Sequence, residues 1–360
     1  MQTLRLLAAA IPSVLLSGIA LLHGPADAAT FTIVDRSECI FYLDGPIEPG
    51  DADRLRAAAS RQASAGRISL CLNSPGGNYA EGLRIIGFIL NDLPSFRTVV
   101  DKGDECVSVC ALIFLSGHQK AGRRKLPDRK LHSQASLGFH GPYIKPGTLR
   151  FDPLLAPAAH AAGLKAVGQL IALDEEALFP LSLLAAGLEK GEDEFMYIET
   201  IDQVGAWAID LLGYHKPDAF TPSMLNRACR NFDSWNISLE SPLDHAPGDA
   251  QDPDPATLAA IEFVWGGKTI EFRDHKFHKE ELSGYGYEGT WNCYVDGLDA
   301  GAKGIFFKVQ IGSGAERRVR DAAAILQREV ANRSTSPTGP GTPLWYIYDP
   351  RMKLSAIVAD

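Results

Sequence analysis

Past residue 28 the sequence has no run of the ~18 uninterrupted apolar residues that a helix needs to cross a bilayer. Residues 38–213 carry no nucleotide motif such as a P-loop, so no nucleotide-driven step is expected of them. Positive charge is also sparse, with a formal net charge of −9. Arg123, Arg124, Lys125, Arg129 and Lys130 form its one basic cluster, too short for a face that would hold nucleic acid. A second cysteine or histidine pair at zinc-binding spacing is absent as well, which leaves Cys106 and Cys110 a poor half-site. His275, His278, Glu280 and Glu281 are interleaved with Arg273, Lys276 and Lys279, the pattern of a solvated mixed-charge face. No metal and no cofactor is expected.

The first 28 residues have a different character. Arg5 precedes an apolar stretch from Leu6 to Leu22, broken by Pro12, Ser13, Ser17 and Gly18, and Ala26-Asp27-Ala28 follows. That is the layout of a secretory signal; a first transmembrane helix is the alternative. The reading predicts a mature protein without a stable membrane span, periplasmic or secreted. About 330 residues then remain, more than one core usually takes, so two domains are expected, at 29–215 and 216–360. All six cysteines fall in that mature part, where an oxidising compartment permits disulfides.

Glu105-Cys-Val-Ser-Val-Cys-Ala-Leu-Ile-Phe-Leu-Ser-Gly117 organises the rest. The apolar run after Ser108 predicts a buried helix over 109–116 with Ser108 at its first turn. Serine there either caps the helix or meets, as a nucleophile, the unpartnered N–H groups of the first turn, with Val109 N–H facing the oxyanion. Upstream, Phe31 to Leu43 reads as strands, Asp51 to Ala63 as a helix and Ile68–Leu72 as a buried strand. Asn73-Ser-Pro-Gly-Gly77 is a turn, and a helix with Leu83, Ile86, Phe88 and Ile89 on its apolar side comes next. Alternation of this kind predicts βαβ units and a mostly parallel sheet with its site at the carboxyl strand ends. Gly76 and Gly77 allow close backbone approach there, or simply turn the chain.

Asn73-Ser-Pro-Gly-Gly77, Ser108 with Ala111 and its apolar helix, Gly138-Phe-His-Gly-Pro142 and Asp193-Glu-Phe195 follow one another in order. Cys39 to Ile47 precedes them as a first strand and turn. Together they resemble the proteolytic subunit of the Clp protease and the ClpP/crotonase superfamily over residues 38–213, in particular exported bacterial members with Cys-x-Ser-x-Cys at the serine. The resemblance implies a repeated ββα core. It makes Ser108 the nucleophile, His140 the general base and Asp193 its orienting group, with Gly76 and Val109 as oxyanion donors and Pro75 and Gly77 beside the substrate. The implied activity is that of a serine peptidase on polypeptide, independent of ATP. An inactive relative that binds peptides or a protein partner is the other class. His140 also reads as a structural strand-end histidine, and Asp193, between Glu192 and Glu194, as a solvated turn.

Basic and prolyl residues from Arg123 to Ser133 read as an added surface loop or hairpin. Residues 156–190 read as two apolar helices, Leu164, Val167 and Ile171 on the first and Leu181, Leu184 and Leu188 on the second. A homo-oligomer is compatible with them, but they do not specify a Clp-like ring. Beyond Tyr214 come a helix at Pro222–Arg230, a linker at 245–256 and antiparallel strands at Lys268–Phe272, Trp291–Val295 and Gly304–Ile311. A helix at Glu316–Ala331 and a last strand near Leu344–Tyr348 complete an α+β accessory domain. Cys229 and Cys293 are expected to pair. Cys106 and Cys110 either bond across Ser108 or fill space as buried thiols.

Overall fold

Ile68–Asn73 is buried along almost its whole length because it runs between two parallel neighbours, and such strands lack a solvent face. This is β3 in a computed structural model that describes residues 29–34, 38–61, 68–121, 124–142, 156–172, 178–191, 194–217, 220–236, 262–265, 269–278, 290–299, 305–311 and 342–359. The three strands before it and beside it are β1 (Thr30–Ile33), β2 (Phe41–Asp44) and β4 (Phe96–Val100). Helix α1 (Asp51–Arg61) joins β2 to β3, and α2 (Tyr79–Asp92) joins β3 to β4. Asn78 caps α2, its side chain accepting the Glu81 N–H at 2.9 Å. The Glu81 carboxylate in turn accepts N–H groups of Gly50 and Ala52 at the start of α1, tying the two helices together at one end.

The sheet continues through β8 (Arg129–His132), which pairs parallel with β4 and with β11 (Asp210–Leu212). Five parallel strands in the order β2-β3-β4-β8-β11 result, with β1 antiparallel on one edge. The chain is thus a mixed α/β protein with a mostly parallel main sheet. Strand β5 (Glu105–Val107) leads into α3 (Val109–Leu115), all of whose residues are buried. A hairpin of β6 (His118–Ala121) and β7 (Arg124–Pro127) follows and joins the start of β4. The basic segment expected as a surface insertion therefore supplies one hairpin strand and one strand of the main sheet. Its Arg129 is buried and donates to the carbonyls of Leu115, Leu178, Trp207 and Ala208.

A second sheet sets β5 parallel to β9 (Ser136–Phe139), which pairs antiparallel with β10 (Met196–Tyr197). Between β9 and β10 lie α4 (Ala156–Ala172) and α5 (Leu181–Leu188), as expected, although Leu164 on α4 faces solvent. Beyond α6 (Ile201–Ala206) comes α7 (Pro222–Asn236), longer than the sequence suggests. The expected antiparallel sheet is present as β12 (Glu262–Trp265), β13 (Thr269–His278), β14 (Thr290–Asp299) and β15 (Ile305–Ile311) in sequential order. The linker at 245–256 and the helix at 316–331 fall outside the described residues, as does the leader at 1–28.

Leu344–Ile347 forms a 3-10 turn, not the expected strand, and its four residues are all buried. They pack with Trp235 of α7 and belong to the same apolar core as β2 to β4. Hydrogen bonds from Ile201 N–H to Met352 O and from Asp202 N–H to Pro350 O fasten this segment to α6. Trp345 Nε1 donates to Asp210 Oδ1 at 2.9 Å. Burial pushes the Asp210 carboxyl above its ordinary value, against the opposing pull of that bond and of Lys130. A raised folded-state value means that folding takes up a proton in the window just above the ordinary carboxylate value, so stability falls as pH rises through it. Asp210→Asn should accordingly raise the melting temperature at neutral pH, with the gain vanishing in acid; a melt series against pH checks it.

Two disulfides have both partners among the residues whose side chains are described. Cys39–Cys71 ties the segment two residues ahead of β2 to β3 across 32 positions and should contribute about 3–4 kcal/mol by restricting the unfolded chain. Cys106–Cys110 bridges β5 and α3. Cys229 on α7 is also disulfide-bonded; the side chain of its expected partner, Cys293 on β14, lies outside the described residues.

Candidate active site

Ser108 stands where β5 ends and α3 begins, with φ 60° and ψ −132°. Positive φ in a residue that is neither glycine nor asparagine costs on the order of 1–3 kcal/mol and persists only where surrounding structure imposes it. Backbone pairing anchors the strand that ends at it. Ser74 N–H donates to Glu105 O and Val107 N–H to Ser74 O, pairing β5 with the end of β3. On its other side β5 runs in register with β9, Cys106 beside Leu137 and Val107 beside Gly138. Ser108 N–H then donates to Gly138 O at 3.1 Å.

The Ser108 side chain does not cap α3, which disposes of the simplest structural role for it. Its hydroxyl makes no hydrogen bond among the described residues. Val109 contributes the first N–H of α3, and its side chain is seated against α2 where Gly82 leaves room.

The paired glycines lie against this elbow. A Cβ on Gly76 would stand 2.6 Å from Ser108 Cβ and 2.9 Å from Val107 O. One on Gly77 would run into the backbone of Ile47. Gly76 has φ 92° and Gly77 φ 144°, so both positions need glycine on conformational grounds too. Gly76 N–H donates to Ser74 Oγ at 3.2 Å. Gly77 forms a parallel bridge with Ile47, in which Ile47 bonds Gly76 O and Asn78 N–H. In such a bridge the central residue turns its own N–H away from the partner strand, so Gly77 N–H faces away from Ile47. Pro75, between Ser74 and Gly76, is exposed.

His140 follows β9 directly. Since Val107 is level with Gly138, Ser108 is level with Phe139 and His140 lies one residue farther along the adjacent strand. Both therefore emerge at carboxyl ends of parallel strands, where α/β sheets carry their sites. The His140 ring packs edge-on against Phe195 with centroids 4.8 Å apart. Gly187 of α5 comes close to Phe139 and His140, with its Cβ position 3.0 Å from Phe139 Cβ. Antiparallel pairing of Met196 with Phe139 sets Phe195 opposite His140. Asp193, two residues before Phe195, lies outside the described residues.

Phe195 as the wall of the histidine and Cys39–Cys71 as a clamp on β3 were not singled out from sequence. Cys39 directly before a buried strand and Cys71 within the next one carried the signal. Neither the protein-family models nor the curated proteins contain a match to this chain.

Proposed function

We propose that this chain is an exported serine hydrolase, acting on polypeptide through a ClpP/crotonase-like core. Ser108 Oγ attacks the acyl carbon, and His140 takes its proton and returns it to the departing amine. Asp193 fixes the tautomer of His140. A water activated by the same histidine then releases the acyl group. Val109 N–H is one oxyanion donor. Gly77 N–H is the better second donor than Gly76, because the Gly76 N–H is already engaged by Ser74 Oγ.

The single observation that carries the reading is the strained Ser108. A serine held at positive φ, with its hydroxyl uncommitted and Gly76 pressed beside it, is costly to maintain for packing alone. Two disulfides support an oxidising compartment, and no helix among the described residues is long and apolar enough to cross a membrane. With no nucleotide motif in the chain, its substrates are short, unfolded or already nicked polypeptides.

The uncommitted Ser108 hydroxyl also favours a second reading, a fold that binds peptides without cutting them. Labelling by a fluorophosphonate separates the two: purified protein should react at Ser108, and Ser108→Ala should abolish the reaction. Unreacted protein that still binds unfolded peptide would establish the binding role instead.

A further inference from the structure

Cys106 and Cys110 lie two residues to either side of Ser108 and are bonded to each other, with Cα atoms 5.3 Å apart. Cys106 is fixed within β5, which pairs with the end of β3 and with β9. Cys110 is fixed within α3, a helix without an exposed residue. The bond thus spans the one backbone junction between these two anchored elements, at the residue whose φ is positive.

We propose that the Cys106–Cys110 disulfide is a positioning bond for Ser108, holding the strand-to-helix elbow in the conformation that keeps the hydroxyl out of the capping position. The inference rests on reading Ser108 as the nucleophile. A separation of only four residues removes little entropy from the unfolded chain, far less than the 32 spanned by Cys39–Cys71. General stapling is therefore a poor account of it. Pairing already holds β5 and burial already holds α3, yet neither favours positive φ at a serine. With the bond absent, residue 108 relaxes to negative φ, and its hydroxyl turns onto the first N–H groups of α3, the ordinary place for serine at a helix start. Both sulfurs are fully buried, so thiols in solution do not reach them while the protein is folded. The bond is a permanent fixture of the elbow and not a switch.

The test uses the purified full chain in three forms: unaltered, C106A/C110A and C39A/C71A. Fluorophosphonate labelling gives the maximal inactivation rate and the inhibitor constant for each, and melting gives stability. C106A/C110A should label at least about ten-fold more slowly at saturation, as misplacement of a reacting group predicts, with an inhibitor constant within about two-fold of the unaltered chain. C39A/C71A should lose more melting temperature yet keep its saturated rate while folded. A crystal structure of C106A/C110A should show Ser108 at negative φ. A saturated rate within about two-fold of the unaltered protein, or Ser108 still at positive φ, would overturn the proposal. If the unaltered chain does not label, the hydrolase reading falls, and the Ser108 φ in the two crystal structures alone decides the role of the bond. Should the alanine pair fail to fold, C106V/C110A, which fills more of the buried space, is read by the same two measurements.

Discussion

Arg129→Met should lower the unfolding free energy by about 3–5 kcal/mol, because it leaves several buried carbonyl acceptors unmet. The guanidinium of Arg129 is fully enclosed and bonds no carboxylate among the described residues. Its partners are the carbonyls of Leu115 at 3.1 Å, Leu178 at 2.7 Å, Trp207 at 2.5 Å and Ala208 at 3.2 Å. Leu115 ends α3 and Trp207 follows α6, so two helix C-termini direct unsatisfied carbonyls and their partial negative charge at it. Burial lowers its pKa to about 9, which leaves it charged at neutral pH. Methionine fills the stem but abandons four acceptors, each costing about 1–3 kcal/mol when left unmet, offset by relief of the buried charge. Arg129→Lys should recover only part of the loss, since an ammonium has three donors and no planar fork. Urea unfolding reads the effect as a lower midpoint at unchanged slope; a loss below about 1 kcal/mol for methionine would refute this account of the residue.

Gly76→Ala is the change expected to cost most at the candidate site. The backbone there sits at φ 92°, which an alanine adopts only with strain. Its new methyl would stand 2.6 Å from Ser108 Cβ and 3.1 Å from Ser108 Oγ, distances that force one of the two residues aside. Gly76 is held by its backbone bonds to Ser74 Oγ and Ile47 N–H, so the unbonded Ser108 side chain is the part that yields. A displacement near 1 Å at a reacting atom costs about 10²-fold in rate, and labelling of Ser108 should fall by at least that much. Gly103→Ala is the control, because its φ is 79° but nothing lies within 4 Å of the added methyl. It should pay the conformational cost of about 1 kcal/mol and label at the normal rate. Equal labelling of Gly76→Ala and the unaltered protein would mean that the glycines do not shape the serine's surroundings.

Local pattern was enough to read some of this architecture. The strand, glycine turn and helix from Ile68 to Asp92 follow from an apolar run, two glycines and a 3.6-residue period, and Ser108 at the start of a buried helix follows from the run after it. The antiparallel strands near 269–311 announce themselves by alternation and aromatic content. β8 was hidden because Arg129 and Lys130 look like surface charge. Nothing adjacent to Arg129 tells that carbonyls up to 79 residues away will enclose it. Leu344–Ile347 has the composition of a strand but packs on Trp235, so burial without an open sheet edge yields a 3-10 turn. The strain at Ser108 was equally illegible, since it arises where β5, anchored to β3 and β9, meets the buried α3, and from no local propensity.

The return of residues 342–359 to the main core has a temporal consequence. A chain emerging with its N-terminal end first completes β2 to β11 long before Trp345 exists, and the Trp345 bond to Asp210 spans 135 residues. Until then Ile201 and Asp202 lack the carbonyls of Met352 and Pro350, and Trp235 of α7 rests on Gly205 and Asp202 of α6 without the Trp345 and Tyr346 rings beside it. Closure over so long a separation is slow compared with the local βαβ pairings. The core therefore stays incomplete until nearly the whole chain is present. If the chain is exported as proposed above, through a membrane channel in extended form, such lateness keeps it threadable until the far side.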